Sequence, residues 1–155
     1  MRLHYERRGD GSPLLLLHST LSSARQLRML ATRLAQRHTV LSIDRRGSGH
    51  SEVDGPAEPI EVSTHIEDLA RVIADEDLGP VVVVGHSYGG CVALELAAHR
   101  PELVNTVFAY EPPYAPVASL ETRAGMADVG RRTLAARDAD GLAAAALTFM
   151  EGVSG

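Results

Sequence analysis

Two short apolar runs, Leu14 to Leu17 and Val81 to Val84, stand out along the chain, each too short for a helix and bounded by Gly or Pro. Runs of this length suit strands buried on both faces of a parallel sheet. Val40 to Ile43 and Val104 to Phe108 read as two further strands. Between the strands lie segments of helical period. Leu27, Leu30, Ala31 and Leu34 mark one, and Ile66, Leu69, Ala70 and Ile73 another, at the i, i+3, i+4, i+7 spacing of one helical face. Thr64, three residues before Glu67, predicts a capping box at the start of the second. A third helix is expected from about Gly90 to His99, apolar through Val92, Ala93, Leu94, Leu96 and Ala97 and halted by Pro101.

Strand and helix in regular alternation imply right-handed crossovers and an α/β architecture, a mostly parallel, doubly wound sheet covered on both faces. After Tyr110 the pattern changes. Pro112, Pro113 and Pro116 interrupt it, and the remainder is Ala-rich and helical, with Leu142, Ala145, Ala146 and Phe149 on one apolar stripe. The sequence therefore divides into a core over residues 1–115 and a helical segment over 116–155.

Composition narrows the function. With 155 residues, 45% of them hydrophobic and 23% charged, the chain can bury a real core. A net charge of -5, from 15 basic and 20 acidic residues without a basic stripe, argues against nucleic acid as a partner. No apolar stretch approaches the ~20 residues of a membrane-spanning helix. The start, Met1-Arg2-Leu3-His4-Tyr5 running into Glu6-Arg7-Arg8, lacks the apolar core of a secretory signal. A cytoplasmic location is expected. Cys91 is the only cysteine, and no Cys/His cluster has the spacing of a zinc site, so neither metal nor cofactor is expected. Cys91 reads as a small core residue.

Gly85-His86-Ser87-Tyr88-Gly89-Gly90 follows directly on the Val81 to Val84 strand and opens a helix, the context that a G-x-S-x-G nucleophile elbow demands. The tight turn holds the serine in strained backbone angles, and the flanking glycines remove side chains that would collide with strand and helix. The hydroxyl then projects at a helix N-terminus whose dipole favours negative charge. A glycine-rich turn without chemistry is the plainer alternative. A dinucleotide loop is the sharper one, since Gly85 and Gly90 match the ends of G-x-G-x-x-G and the acid Glu111 ends the next strand. Its middle glycine, however, is Ser87, whose Cβ obstructs close approach of a pyrophosphate.

On these residues the chain resembles the α/β-hydrolase family over essentially its whole length. Leu14 to Leu17 followed by His18-Ser19-Thr20 is similar to the family's strand and His-Gly oxyanion loop, and Asp44-Arg45-Arg46-Gly47-Ser48-Gly49-His50-Ser51 to its D-x-R-G-x-G-x-S turn. His99-Arg100-Pro101-Glu102-Leu103-Val104 resembles the end of the helix after the nucleophile. The segment after Pro116 resembles the start of the family's helical cap. The resemblance implies Ser87 as nucleophile, with oxyanion donors from the backbone N–H groups of Tyr88 and Thr20. Ser19 stands where glycine is usual. His18 is expected to brace that loop, with Ser19 and His86 in supporting roles, and Asp44 and Arg46 to stabilise their turn.

In this fold the triad runs Ser, then Asp or Glu, then His. His99 is the only histidine after Ser87, and along a helix it lies about 18 Å away. The family's last two strands, with the acid and histidine in the loops after them, have no counterpart here. A truncated product, or a partner supplying the rest, is expected. Glu111 ends the strand where some members of the family, certain haloalkane dehalogenases among them, place their catalytic acid; it equally suits a capping role beside Pro112.

The resemblance thus implies a cofactor-free serine hydrolase acting on a small ester, lactone, thioester or related carbonyl compound. A serine at the nucleophile position argues against the family's epoxide hydrolases and haloalkane dehalogenases, which use aspartate. The second reading is a non-catalytic fragment or binding module of the same fold. The strand at Val104 to Phe108 would be left as an apolar edge, inviting self-association.

Overall fold

The apolar runs become the inner strands of one sheet. The structure is a computed structural model that describes residues 3–51, 53, 60–114 and 120–154, except the side chains of 120–123, 137, 142, 143, 153 and 154. Five strands, β1 (Tyr5–Arg8), β2 (Ser12–Leu17), β3 (His38–Ile43), β4 (Val81–His86) and β5 (Val104–Tyr110), lie in the spatial order β1-β3-β2-β4-β5. β2, β3, β4 and β5 are parallel, while β1 pairs antiparallel with β3 from Tyr5↔Ile43 to Arg8↔Val40. The sequence pattern had not revealed β1. It is four residues of largely charged character at a sheet edge, where charge discourages pairing with other chains.

The helices are α1 (Arg28–Leu34), entered through a 3₁₀ turn at Ala24–Leu27, α2 (Val62–Asp75), α3 (Tyr88–His99) and a final helical stretch, α4 (Leu120–Ser154). Successive strand residues face opposite ways, so the sheet feeds two cores. Leu15, Leu17, Leu41, Ile43, Val81 and Val83 pack with Leu69 and Ile73 of α2 and Val92 and Leu96 of α3. Leu14, Leu16 and Val40 pack with Ala31 of α1. Cys91 is buried on α3, and burial raises its thiol pKa.

Two expectations need correction. α2 has no capping box: Glu61 is its extended N-cap without a side-chain bond, and Thr64 sits in the first turn, its N–H donating to the Glu61 carbonyl at 3.1 Å. The helix starts early because Val62 packs against the core. On α1, Ala31 is buried but Leu30 is exposed, because the helix turns the face of Leu27, Ala31 and Leu34 to the sheet and Leu30 lies off it.

The chain divides into two compact units, Met1–Pro113 and Tyr114–Gly155. In the second, Gly141 (φ 84, ψ -173) breaks α4 into two helical segments. They pack on each other closely enough that a Cβ at Gly152 would lie 2.8 Å from a Val129 methyl. Ala145 of the expected stripe is buried there; the Leu142 side chain, Pro116 and Val117 lie outside the described residues. No helix among the described residues is long and apolar enough to cross a membrane.

Candidate active site

Ser87 links β4 directly to α3 with φ 53 and ψ -121, a region that a residue with a Cβ occupies only under strain. The elbow can be this tight because its neighbours lack side chains. A Cβ on Gly85 would come within 2.3 Å of the Gly89 carbonyl oxygen, and one on Gly89 within 2.5 Å of both the Leu17 and His18 carbonyl oxygens. Gly89 thereby lets α3 pack directly on the end of β2. The Ser87 N–H donates to the Tyr110 carbonyl at 2.9 Å, and its own carbonyl accepts from Gly90 and Cys91 at 2.8 and 3.2 Å. Every main-chain group of the serine is thus held, while its hydroxyl makes no hydrogen bond among the described residues.

Tyr88 is the first residue of α3, so its N–H has no acceptor within the helix. Thr20 follows β2 in an exposed turn. Both line an open cleft of about 450 Å³ together with Ser22, Arg45, Ser48 and His65. Ser87 is not itself part of that lining. The preceding loop does not need glycine at position 19: Ser19 is not among the residues of positive φ, whereas Leu21 is, at φ 53.

His18 is fully buried and its ring is committed on both sides. Its Nδ1–H donates to the Ser19 carbonyl at 2.8 Å, and Nε2 accepts from the Arg45 N–H at 3.1 Å. Burial, helped by the Arg45 charge, lowers its pKa to about 4. A neutral ring whose lone pair is already occupied braces the loop and cannot take a proton. Arg45 completes the brace, donating from Nε to the His18 carbonyl at 3.3 Å and from Nη2 to the Ser19 carbonyl at 2.9 Å. Its guanidinium lies 4.9 Å from the centre of the Tyr88 ring, within cation–π range. One buried arginine thus ties the loop after β2 to the residue after the elbow.

The turn after β3 is organised from within. Asp44 is buried, its carboxylate accepting from the Ala24 N–H at 2.7 Å and the His50 N–H at 3.0 Å. Burial alone would raise its pKa, but these bonds and His4 hold it below the usual carboxylate value. Arg46 grips buried Asp68 of α2 with two bonds, at 2.8 and 2.6 Å, and that pairing raises the arginine's pKa.

His86 packs its ring against Tyr110 at 5.4 Å between centroids. Glu111 follows directly, exposed and at φ 49, so the acid sits one residue beyond the carbonyl that anchors Ser87. His99 is exposed on α3 and bonds the Glu95 carbonyl at 3.0 Å. Sequence reasoning missed Arg45, Asp68 and His65. His65 is buried, meets Tyr88 edge-on at 5.9 Å and has its pKa lowered to about 4, by burial first and then by Arg45. The available signal was a pair of polar residues, His65 and Asp68, interrupting the apolar stripe of α2.

Residues 12–146 match the alpha/beta hydrolase fold family. The chain is 30% identical over 129 residues to a 2-(acetamidomethylene)succinate hydrolase of Mesorhizobium japonicum, covering 83% of this chain and 46% of that protein. It is 35% identical over 112 residues to the lipase LipV of Mycobacterium tuberculosis, covering 71% and 41%. Among solved structures, an alpha/beta hydrolase from Sphaerobacter thermophilus superposes with a TM-score of 0.69 at 32% identity, covering 96% of this chain and 55% of that one. The chain spans less than half the length of these curated relatives.

Proposed function

The chain belongs to the α/β-hydrolase family, and from that premise we propose that it carries the nucleophile and oxyanion site of a serine hydrolase. The observation that carries this reading is Ser87 at φ 53, held at all its main-chain groups while its hydroxyl makes no hydrogen bond among the described residues. Strain is retained at such a position when it presents a reactive group. Ser87 Oγ attacks a carbonyl carbon, and the carbonyl oxygen gains charge as a tetrahedral intermediate forms. The N–H groups of Tyr88 and Thr20 stabilise that oxygen, already oriented by the helix start and by the Arg45 and His18 brace. Collapse of the intermediate expels the alcohol, thiol or amine and leaves an acyl-serine for water to cleave.

Attack needs a base. His18 is excluded by its occupied Nε2, and His99 by its place at the far end of α3. In the family's order of Ser, then acid, then His, and with His99 the one histidine after Ser87, the triad histidine is assigned to polypeptide outside these 155 residues. The acid is assigned there as well or to Glu111, which follows the Tyr110 anchor. The helical segment from 116 onward is read as the start of the family's helical cap. The substrate class is an ester or related carbonyl compound; the lipase and the 2-(acetamidomethylene)succinate hydrolase among the relatives support this reading.

Treating the complete polypeptide with a fluorophosphonate and locating the adduct by mass spectrometry tests the assignment. Modification of Ser87 is expected. Labelling at another serine with Ser87 untouched removes it as nucleophile.

A further inference from the structure

We propose that His4, Asp44 and His50 form a binding site for a divalent transition metal ion of the zinc type, separate from the Ser87 elbow. The three residues come from distant parts of the sequence. His4 precedes β1, and Asp44 and His50 bound the turn after β3. One donor atom from each lies within 4.8 Å of the others. His4 Nδ1 is 3.0 Å and His50 Nδ1 3.5 Å from the same Asp44 oxygen, Oδ2, and the two imidazole rings are 4.7 Å apart, tilted by 57°. Two imidazoles converging on one carboxylate oxygen make poor partners for each other. A cation between them gives all three donors a common acceptor of their lone pairs.

The donor set fits. Two neutral imidazole nitrogens and one carboxylate oxygen suit zinc and its neighbours, and three protein ligands leave a position for water. The supporting contacts are already in place, as good metal sites require. Asp44 Oδ1 is fixed by the Ala24 N–H at 2.7 Å and Oδ2 by the His50 N–H at 3.0 Å. His4 is tied at both main-chain groups, its N–H donating to Ser51 Oγ at 2.8 Å and its carbonyl accepting from the Asp44 N–H at 3.0 Å. Gly49 belongs to the same design, since a Cβ there would lie 2.3 Å from the Asp44 carboxyl carbon. Access is open, because the Asp44 side chain is 3% exposed but those of His4 and His50 are 40% and 82% exposed. A bound ion would pin the start of β1 to the turn that carries Arg45 and Arg46, the residues that brace the loop after β2 and grip α2. The site is thereby structural in its effect, and no catalytic step passes through it.

The test uses the chain freed of metal with a chelator and titrated calorimetrically with zinc chloride. Binding of one ion per chain at micromolar or better affinity is expected. His4→Gln and His50→Ala should each weaken it by about tenfold or more, whereas His99→Ala, which alters an exposed histidine elsewhere, should not. Metal-free melting of each variant establishes that the fold persists. Zinc should raise the melting temperature of the parent but not of H50A, and cobalt should give ligand-field absorption bands that both cluster variants lose. Absence of stoichiometric binding, or binding that survives His50→Ala and His4→Gln unchanged, overturns the site.

Discussion

The backbone N–H of Ser87 donates to the carbonyl of Tyr110 at 2.9 Å, one rung beyond the His86↔Tyr110 pairing that ends the β4–β5 ladder. The elbow is therefore the last step of the sheet, and the ladder holds the strained angles in place. Replacing Ser87 by Ala keeps the strain and deletes only the hydroxyl, so the fold should survive while turnover of the complete enzyme drops by several orders of magnitude. Replacing it by Gly also deletes the hydroxyl but releases the positive φ. Relief of order 1 kcal/mol or more is offset in part by the greater freedom of Gly in the unfolded chain. Urea unfolding should accordingly rank the glycine variant above the alanine variant. The reverse order would mean that position 87 carries no backbone strain.

Arg45 is the residue whose loss should loosen the loop after β2 without touching Ser87. Its side chain supplies donors to the His18 and Ser19 carbonyls, and a methionine of similar length supplies none. Removing the donor to the buried His18 carbonyl costs roughly 1–3 kcal/mol, while the Ser19 carbonyl keeps the His18 Nδ1–H. Lysine should not rescue the variant, since one ammonium cannot reproduce the planar fork that reaches both carbonyls and overlies Tyr88. Under the proposed oxyanion role of the Thr20 N–H, kcat of the complete polypeptide should fall more than KM rises for Arg45→Met, because oxyanion contacts act mainly in the transition state. An unchanged kcat would detach Arg45 from the site.

Acid should weaken the fold before the carboxylates titrate. His18 and His65 have pKa values of about 4 in the folded chain against an ordinary 6.5, so between those values the unfolded chain binds protons that the folded one refuses. Stability therefore falls as pH drops from 6.5 to 4 and levels off below for these two groups. At 1.36 kcal/mol per pKa unit, each contributes at most roughly 3 kcal/mol to that loss. Asp44 acts in a lower window, because its depressed pKa gives stability that is lost only as pH falls below the ordinary 3.8. Urea titrations across this range should show a slope that His65→Gln reduces by about half. A slope indifferent to both histidines would show that their rings are solvated.

The sheet and the elbow were legible in the sequence because each rests on a local pattern. Four apolar runs marked β2 through β5, and the spacing of Gly85, Ser87 and Gly89 marked the turn. What remained hidden depends on distance along the chain. Arg45 reads as an interchangeable position in its turn until the fold brings it onto the loop after β2, 27 residues from His18. His4 and Asp44 are 40 residues apart, beyond any ligand-spacing pattern. The start of α2 was misread for a different reason: a local capping signal at Thr64 lost to the packing of Val62.

The 155-residue chain should self-associate through β5. That strand is last in the sheet order, so one line of its N–H and C=O groups lacks a strand partner among the described residues. On the face where Val82 and Val84 remain half-buried, their neighbours across the β4–β5 ladder include Phe108, 61% exposed, and Tyr110 follows two residues on at 63%. An apolar surface flanked by an unpaired strand edge favours pairing with a second copy, which covers both at once. Phe108→Lys places a charge in that patch, and a lysine on an edge strand opposes strand addition. Sedimentation velocity over a range of protein concentrations should show the parent as dimers or larger species and the lysine variant shifted toward monomer. A parent that stays monomeric throughout, or a variant that associates equally well, would place any association elsewhere on the surface.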